Sequence, residues 1–198
     1  MKKKIMFVGN SYTYFHDMPE LIFAPMAKDA GLDLDVQAVT HGGYKLSWYA
    51  DPENPEGKRL RSVVEGRHYD YIVLQDHSLS TIEDPGEFFG GLRAMKALLE
   101  GHTDQFILYC TWGRKPGCVT LEEIGMTNEE MTRHIAEHYD EAGERLRMKV
   151  AHVGKAFCAH RAAHPEDELY FEDLHHSSPL GSTVAAREIL SVILADQG

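Results

Sequence analysis

Two periods of hydrophobicity run along this chain. Short continuous apolar runs, Ile5-Met6-Phe7-Val8 first among them, stand between longer segments whose apolar residues recur every three or four positions. The short runs are bounded by Gly, Asn, Asp and Ser, and they suit strands buried on both faces. They predict strands over 4–9, 33–39, 70–75, 105–110 and 149–153. The longer segments predict helices. One begins near Asp17, an N-cap with Glu20 three residues on, and Pro25 is expected to kink it. A second covers 85–100 and places Phe88, Phe89, Leu92, Met95 and Leu99 on one face. A third opens with a capping box at Thr127-Asn128-Glu129-Glu130 and lines up Met131, Ile135, Tyr139, Ala142 and Leu146. The last starts at Ser178-Pro179 and runs to about 196, with proline at the first helical position.

Strands alternating with helices predict a parallel sheet covered on both faces, a three-layer α/β/α sandwich. With right-handed crossovers the simplest order is the flavodoxin-like 2-1-3-4-5. Length predicts one domain over 1–198, and no repeat or linker interrupts it. Sites in such sheets form at the carboxyl ends of the strands. Four loops fall there: 9–13 (GNSYT), 40–44 (THGGY), 75–78 (QDHS) and 111–114 (TWGR).

Composition removes several classes of function. A formal charge of −11 argues against a nucleic-acid partner, which needs a basic stripe, and Lys2-Lys3-Lys4 is the single basic run. No apolar stretch approaches the length of a membrane span, so no membrane partner is expected. Cys110, Cys118 and Cys158 are odd in number and lack Cys-x-x-Cys spacing, which predicts reduced thiols and a cytoplasmic setting.

The chemistry gathers at the two ends of the chain. Ser11 stands at the tip of the first strand, where a tight turn with an incidental serine is the plain alternative. Asp173 and His176 lie three apart just before the last helix, a spacing that lets a carboxylate fix the histidine tautomer. An aspartate helix cap beside surface histidines is the competing reading. A serine at neutral pH needs such a base to become a nucleophile.

Together these residues resemble the SGNH hydrolase superfamily, which includes the GDSL-type esterases. The resemblance covers essentially the whole chain. Val8-Gly9-Asn10-Ser11 is similar to the nucleophile block, Gly42-Gly43 to the second block, and Asp173-Leu174-His175-His176 to the Asp-x-x-His block. Gly181 lies five residues after His176, the usual family spacing, which selects His176 over His175 as the base. The third block departs, since Gln75-Asp76-His77-Ser78 replaces the usual Gly-x-Asn-Asp. A glutamine at this strand end resembles carbohydrate O-acetyl esterase branches of the superfamily.

The resemblance implies ester hydrolysis through an acyl-enzyme, with Ser11, His176 and Asp173 as the triad. It also implies an oxyanion hole from the backbone of Ser11 and Gly43 with the Gln75 amide, His77 standing behind it. Trp112 and Arg114 are expected to line the substrate cleft. No cofactor is implied, and the substrate would be a small acyl ester, acetyl on a carbohydrate first of all; oligomeric state is left open. Three rivals stand beside this. A degenerate SGNH domain could bind sugars without cleaving them. His134, Glu137 and His138 match the His-x-x-Glu-His pattern of zinc hydrolases. The Gly9–Thr13 turn could cradle a flavin phosphate.

Overall fold

Ile5 and Phe7 face one layer of a parallel sheet and Met6 and Val8 face the other, and all four are fully buried. This two-sided burial is why the run is continuously apolar instead of alternating. The computed structural model describes residues 2–196. Its strands are β1 (Lys3–Gly9), β2 (Leu34–Thr40), β3 (Tyr69–Leu74), β4 (Thr103–Cys110) and β5 (Lys149–His152). They form one parallel sheet in the order β2-β1-β3-β4-β5. The three-layer sandwich and its order are those expected from the sequence.

Register places the strand ends at one level. Val8 pairs with Val39 on one side and Leu74 on the other, and Leu74 pairs with Leu108. Gly9, Gln75 and the loop after Cys110 therefore leave the sheet side by side. Helices Pro55–Val64, Pro85–Leu99 and Asn128–Leu146 cover one face. The segment Met18–Asp29 and helices Val153–Ala163 and Pro179–Ala195 cover the other.

The capping box forms as expected. Glu130 N–H donates to Thr127 Oγ1 at 3.2 Å, and Thr127 N–H donates to Glu130 Oε2 at 2.8 Å. The helix expected at Asp17 begins differently. Asp17 makes no side-chain cap bond and is left-handed (φ 49°), directly after left-handed His16 (φ 57°). The carboxylate of a left-handed residue does not stand over the helix N–H groups as a cap must. The chain enters the helix through a wide π turn, Met18–Phe23, and becomes α-helical at Ala24–Asp29. The change of helix type falls just ahead of Pro25, a residue with no N–H to give.

The last helix is fixed at its start by contact. Ser178 Oγ accepts from Gly181 N–H at 3.1 Å and donates to Glu168 O at 2.6 Å. A Cβ on Gly181 would stand 2.1 Å from the Leu169 carbonyl oxygen. Helix and backbone touch there, so position 181 has room for glycine alone. Gly181→Ala is expected to destabilise by about 1–3 kcal/mol through overpacking. For a chain of this size that lowers the melting temperature by roughly 2–4 °C per kcal/mol. A circular-dichroism melt checks it, and an unchanged melting temperature refutes the contact.

Candidate active site

β1 ends at Gly9, and Asn10 caps the short helix Ser11–Tyr14. Asn10 Oδ1 accepts from Tyr12 N–H at 3.1 Å, and Asn10 Nδ2 donates to Tyr44 O at 2.9 Å, tying this turn to the loop after β2. Beneath it lies Gln75, 1% exposed. Gln75 Oε1 accepts from Asn10 N–H at 2.8 Å and from Thr13 Oγ1 at 2.9 Å, while its Nε2 donates to Asp76 O. A Cβ on Gly9 would fall 2.5 Å from Thr13 Oγ1 and 2.6 Å from Gln75 Oε1, so the turn closes only over glycine. Ser11 occupies the first helical position, where a backbone N–H has no intrahelical acceptor. Gly43 sits at φ +72° in the loop after β2. Neither N–H finds an acceptor among the described residues.

The loop before the last helix folds over this turn. His176 Nε2 lies 2.7 Å from Ser11 Oγ, and His176 Nδ1 lies 2.6 Å from Asp173 Oδ2. Asp173 Oδ1 accepts from the N–H groups of His176 (2.9 Å) and His175 (3.0 Å). Partial burial pushes this carboxyl up. The His176 ring and the two N–H donors outweigh it and hold Asp173 down at about 2, an anion at neutral pH. Bonded to that carboxylate, Nδ1 is the proton-bearing nitrogen, and Nε2 is free to accept from Ser11. Phe15 stacks on the His176 ring, with centroids 4.0 Å apart and planes 6° from parallel. His175 turns elsewhere: its Nδ1 bonds to Asp173 O at 3.0 Å, and its carbonyl accepts from Trp112 Nε1 at 3.0 Å.

A third loop follows β3. Asp76 Oδ1 accepts from Leu46 N–H and from His77 N–H, both at 2.8 Å. Burial outweighs these bonds and raises the Asp76 carboxyl to about 6. His77 Nδ1 accepts from Leu79 N–H at 3.4 Å, which leaves the proton of the neutral ring on Nε2. Burial, with the charges of Arg114 and Lys45 behind it, lowers the pKa of His77 and keeps it neutral.

The fold has counterparts among solved structures. A protein from Slackia heliotrinireducens classed as an SGNH hydrolase superposes with a TM-score of 0.84 at 25% identity, covering 98% of this chain and 100% of that one. A lipase/acylhydrolase from Enterococcus faecalis gives 0.71 at 16% identity, with 98% and 96% covered. A mutant of an acetyl-xylooligosaccharide esterase from Geobacillus gives 0.65 at 14% identity, again with 98% and 96% covered. These likenesses support an SGNH/GDSL-like hydrolase fold. No family model matches its sequence, and no curated protein matches it.

Within the SGNH frame, two expectations change. Gln75 was expected to donate to an oxyanion, but its carboxamide is bonded at both ends beneath the serine turn, so it fastens that turn instead. Trp112 was expected in the cleft. It is fully buried between Phe157 (4.3 Å) and Tyr12 (4.7 Å), as a core side chain that holds the His175 carbonyl. Arg114 is also buried, and its Nη1 and Nη2 donate to Tyr12 Oη and Ser78 Oγ.

His134 Nε2 bonds to Thr81 O at 3.0 Å and His138 Nδ1 to His134 O at 2.9 Å, with Glu137 turned to Arg133 at 3.9 Å. The three side chains of the zinc pattern thus serve the helix and its neighbour. Asp173, His175 and His176 present ligand atoms within 4.8 Å of one another, and those of Asp173 and His176 are engaged in the hydrogen bonds that run to Ser11. Phe15 goes unremarked in the sequence, and Asn10 and Asp76 are given no role there. Only Asp76 carried a signal, a carboxylate directly after a buried strand.

Asp76 sets a pH test. Its folded pKa lies above the ordinary value of 3.8, so the folded state binds the proton more tightly. Stability therefore falls as pH rises from about 4 to about 6, and the penalty persists above that. Asp76→Asn keeps an acceptor for Leu46 and His77 and removes the charge. It is expected to be more stable than wild type by about 2–3 kcal/mol at pH 8 and equal to it near pH 4. Urea titrations at both pH values measure this, and a difference independent of pH would contradict it.

Proposed function

We propose that this chain is a serine esterase that hydrolyses a small acyl ester, acetyl on a carbohydrate above all. The observation that carries the reading is the unbroken hydrogen-bond line Asp173–His176–Ser11. The first step is attack of Ser11 Oγ on the ester carbonyl while His176 Nε2 takes the serine proton. Asp173 stabilises the imidazolium so formed. Collapse of the tetrahedral adduct breaks the bond to the alcohol oxygen, and His176 returns the proton to that oxygen. Water then enters, His176 takes its proton, and the acid leaves with Ser11 restored.

The oxyanion of each adduct is held by the unpaired N–H groups of Ser11 and Gly43, with His77 Nε2–H as third donor in place of Gln75. Support for His77 comes from its neutral tautomer and its place one residue beyond Asp76 on the loop that replaces the third block. Acetyl specificity draws on the absence of any long insertion that could form a lid over a lipid chain, and on the esterase neighbour's acetylated sugar.

Ser11→Ala is expected to abolish hydrolysis in a p-nitrophenyl series from acetate to octanoate, with acetate fastest in wild type. A fluorophosphonate should label wild type alone, and labelling that persists in Ser11→Ala would sink the assignment. His176→Ala should lose nearly all activity and His175→Ala should keep most of it. Equal losses would leave no reason to prefer His176.

His77→Ala should lower kcat by about 100-fold or more, as for one oxyanion donor, with its melting temperature kept. Gln75→Ala should instead lower the melting temperature, since each buried donor left without an acceptor costs about 1–3 kcal/mol. A full-rate His77→Ala enzyme rules out the third donor.

A further inference from the structure

Arg114 stands out after the triad is accounted for. It follows β4 at the same sheet edge as Ser11 and is 7% exposed. Its Nη1 donates to Tyr12 Oη and its Nη2 to Ser78 Oγ at 3.0 Å, with the guanidinium carbon 5.5 Å from the Tyr12 ring centroid. Both acceptors are neutral, since burial pushes the Tyr12 phenol up to about 12. Arg114 Nε is buried with no partner, and among the described residues the side chain forms no ion pair.

An unpaired buried cation is among the most unfavourable features a fold can carry. Acceptors are not scarce in a chain of net charge −11. Asp173, the carboxylate of the neighbouring loop, is engaged with His176. The Arg114 charge is felt by His77 on one side and His175 on the other, which brackets it between the loops that flank Ser11. Tyr12, its hydrogen-bond partner, is the residue after Ser11.

We propose that Arg114 anchors an anion subsite beside Ser11, and that the ester cleaved here carries a carboxylate a few ångströms from its scissile bond. One guanidinium flanked by two neutral hydroxyls suits a monoanion, where a phosphate dianion would call for a second cation. The second N–H of Nη1 and of Nη2 donate to the carboxylate, and the Tyr12 ring stacked on Trp112 keeps the guanidinium in place. An acidic sugar meets the description as an acylated carbohydrate. The subsite rests on the esterase reading for its purpose, and its test is separable from that reading.

Calorimetric titration of wild-type protein with benzoate and with its neutral isostere benzamide reads the subsite without turnover. Benzoate is expected to bind at least about tenfold more tightly, and Arg114→Gln to erase the difference. In turnover, 4-acetoxybenzoate and acetyl-lactate should exceed their methyl esters by about tenfold or more in kcat/KM, after correction for hydroxide-catalysed rates. Arg114→Gln should bring that ratio to one. Equal binding of benzoate and benzamide, or absence of both, overturns the subsite, as does a ratio near one in wild type for both pairs. If the methyl esters are hydrolysed at full rate in that event, the esterase reading survives. Should Arg114→Gln fail to fold, the wild-type comparisons decide alone. Benzoate preference in a protein that no fluorophosphonate labels would keep the anion site and end the esterase reading.

Discussion

One carboxylate oxygen holds the two loops that flank the serine turn. Asp76 Oδ1 takes the Leu46 N–H, at the end of the segment that carries Gly43, and the His77 N–H, on the loop after β3. Gln75, its chain neighbour, takes the Asn10 N–H and the Thr13 hydroxyl. Two adjacent residues at the end of β3 therefore fix three loops in space. A parallel sheet needs some such device. Its backbone groups are paired along the strands and lose their partners together at the edge where the strands stop. Buried side chains take over that hydrogen bonding, and the positions of Ser11, Gly43 and His77 follow from it.

The placement has an electrostatic counterpart. Asp173 gathers three donors and stays charged, whereas Asp76, also bonded to two backbone N–H groups, is pushed toward the neutral form by depth. Identical side chains thus diverge because one sits at the surface of the cleft and the other beneath it. The charged carboxylate holds the His176 ring; the buried one is a fastening.

Much of the fold was legible because its signals are local. Short apolar segments, continuous at 5–8 and alternating with Asp and Gln at 33–39, marked the strands, and Thr127–Glu130 and Ser178–Pro179 marked two helix starts within a residue. The Asp173–His176 spacing was legible for the same reason, as both residues lie on one turn of chain. Gln75 was misread because an amide both donates and accepts, and sequence does not say which end meets the backbone. Trp112 was misread because its neighbours Tyr12 and Phe157 are remote in sequence. Phe15 reaches His176 across most of the chain, and no period or motif encodes that stack. Asp17 had the composition of a cap without the backbone of one.

The left-handed residues give the molecule an uneven resistance to heat. His16 and Asp17 lie directly after Phe15, and Leu174 (φ 66°) sits between Asp173 and His175. Each such non-glycine residue costs about 1–2 kcal/mol of backbone energy. They are held by tertiary contacts such as His16 Nε2 to Ser177 O at 3.0 Å and Lys115 N–H to Leu174 O at 2.9 Å. The sheet beneath carries no such burden. Local opening draws on the segments with least margin, so the walls around His176 loosen while the strands remain paired. Warming therefore acts on the walls around His176 before it acts on the paired strands.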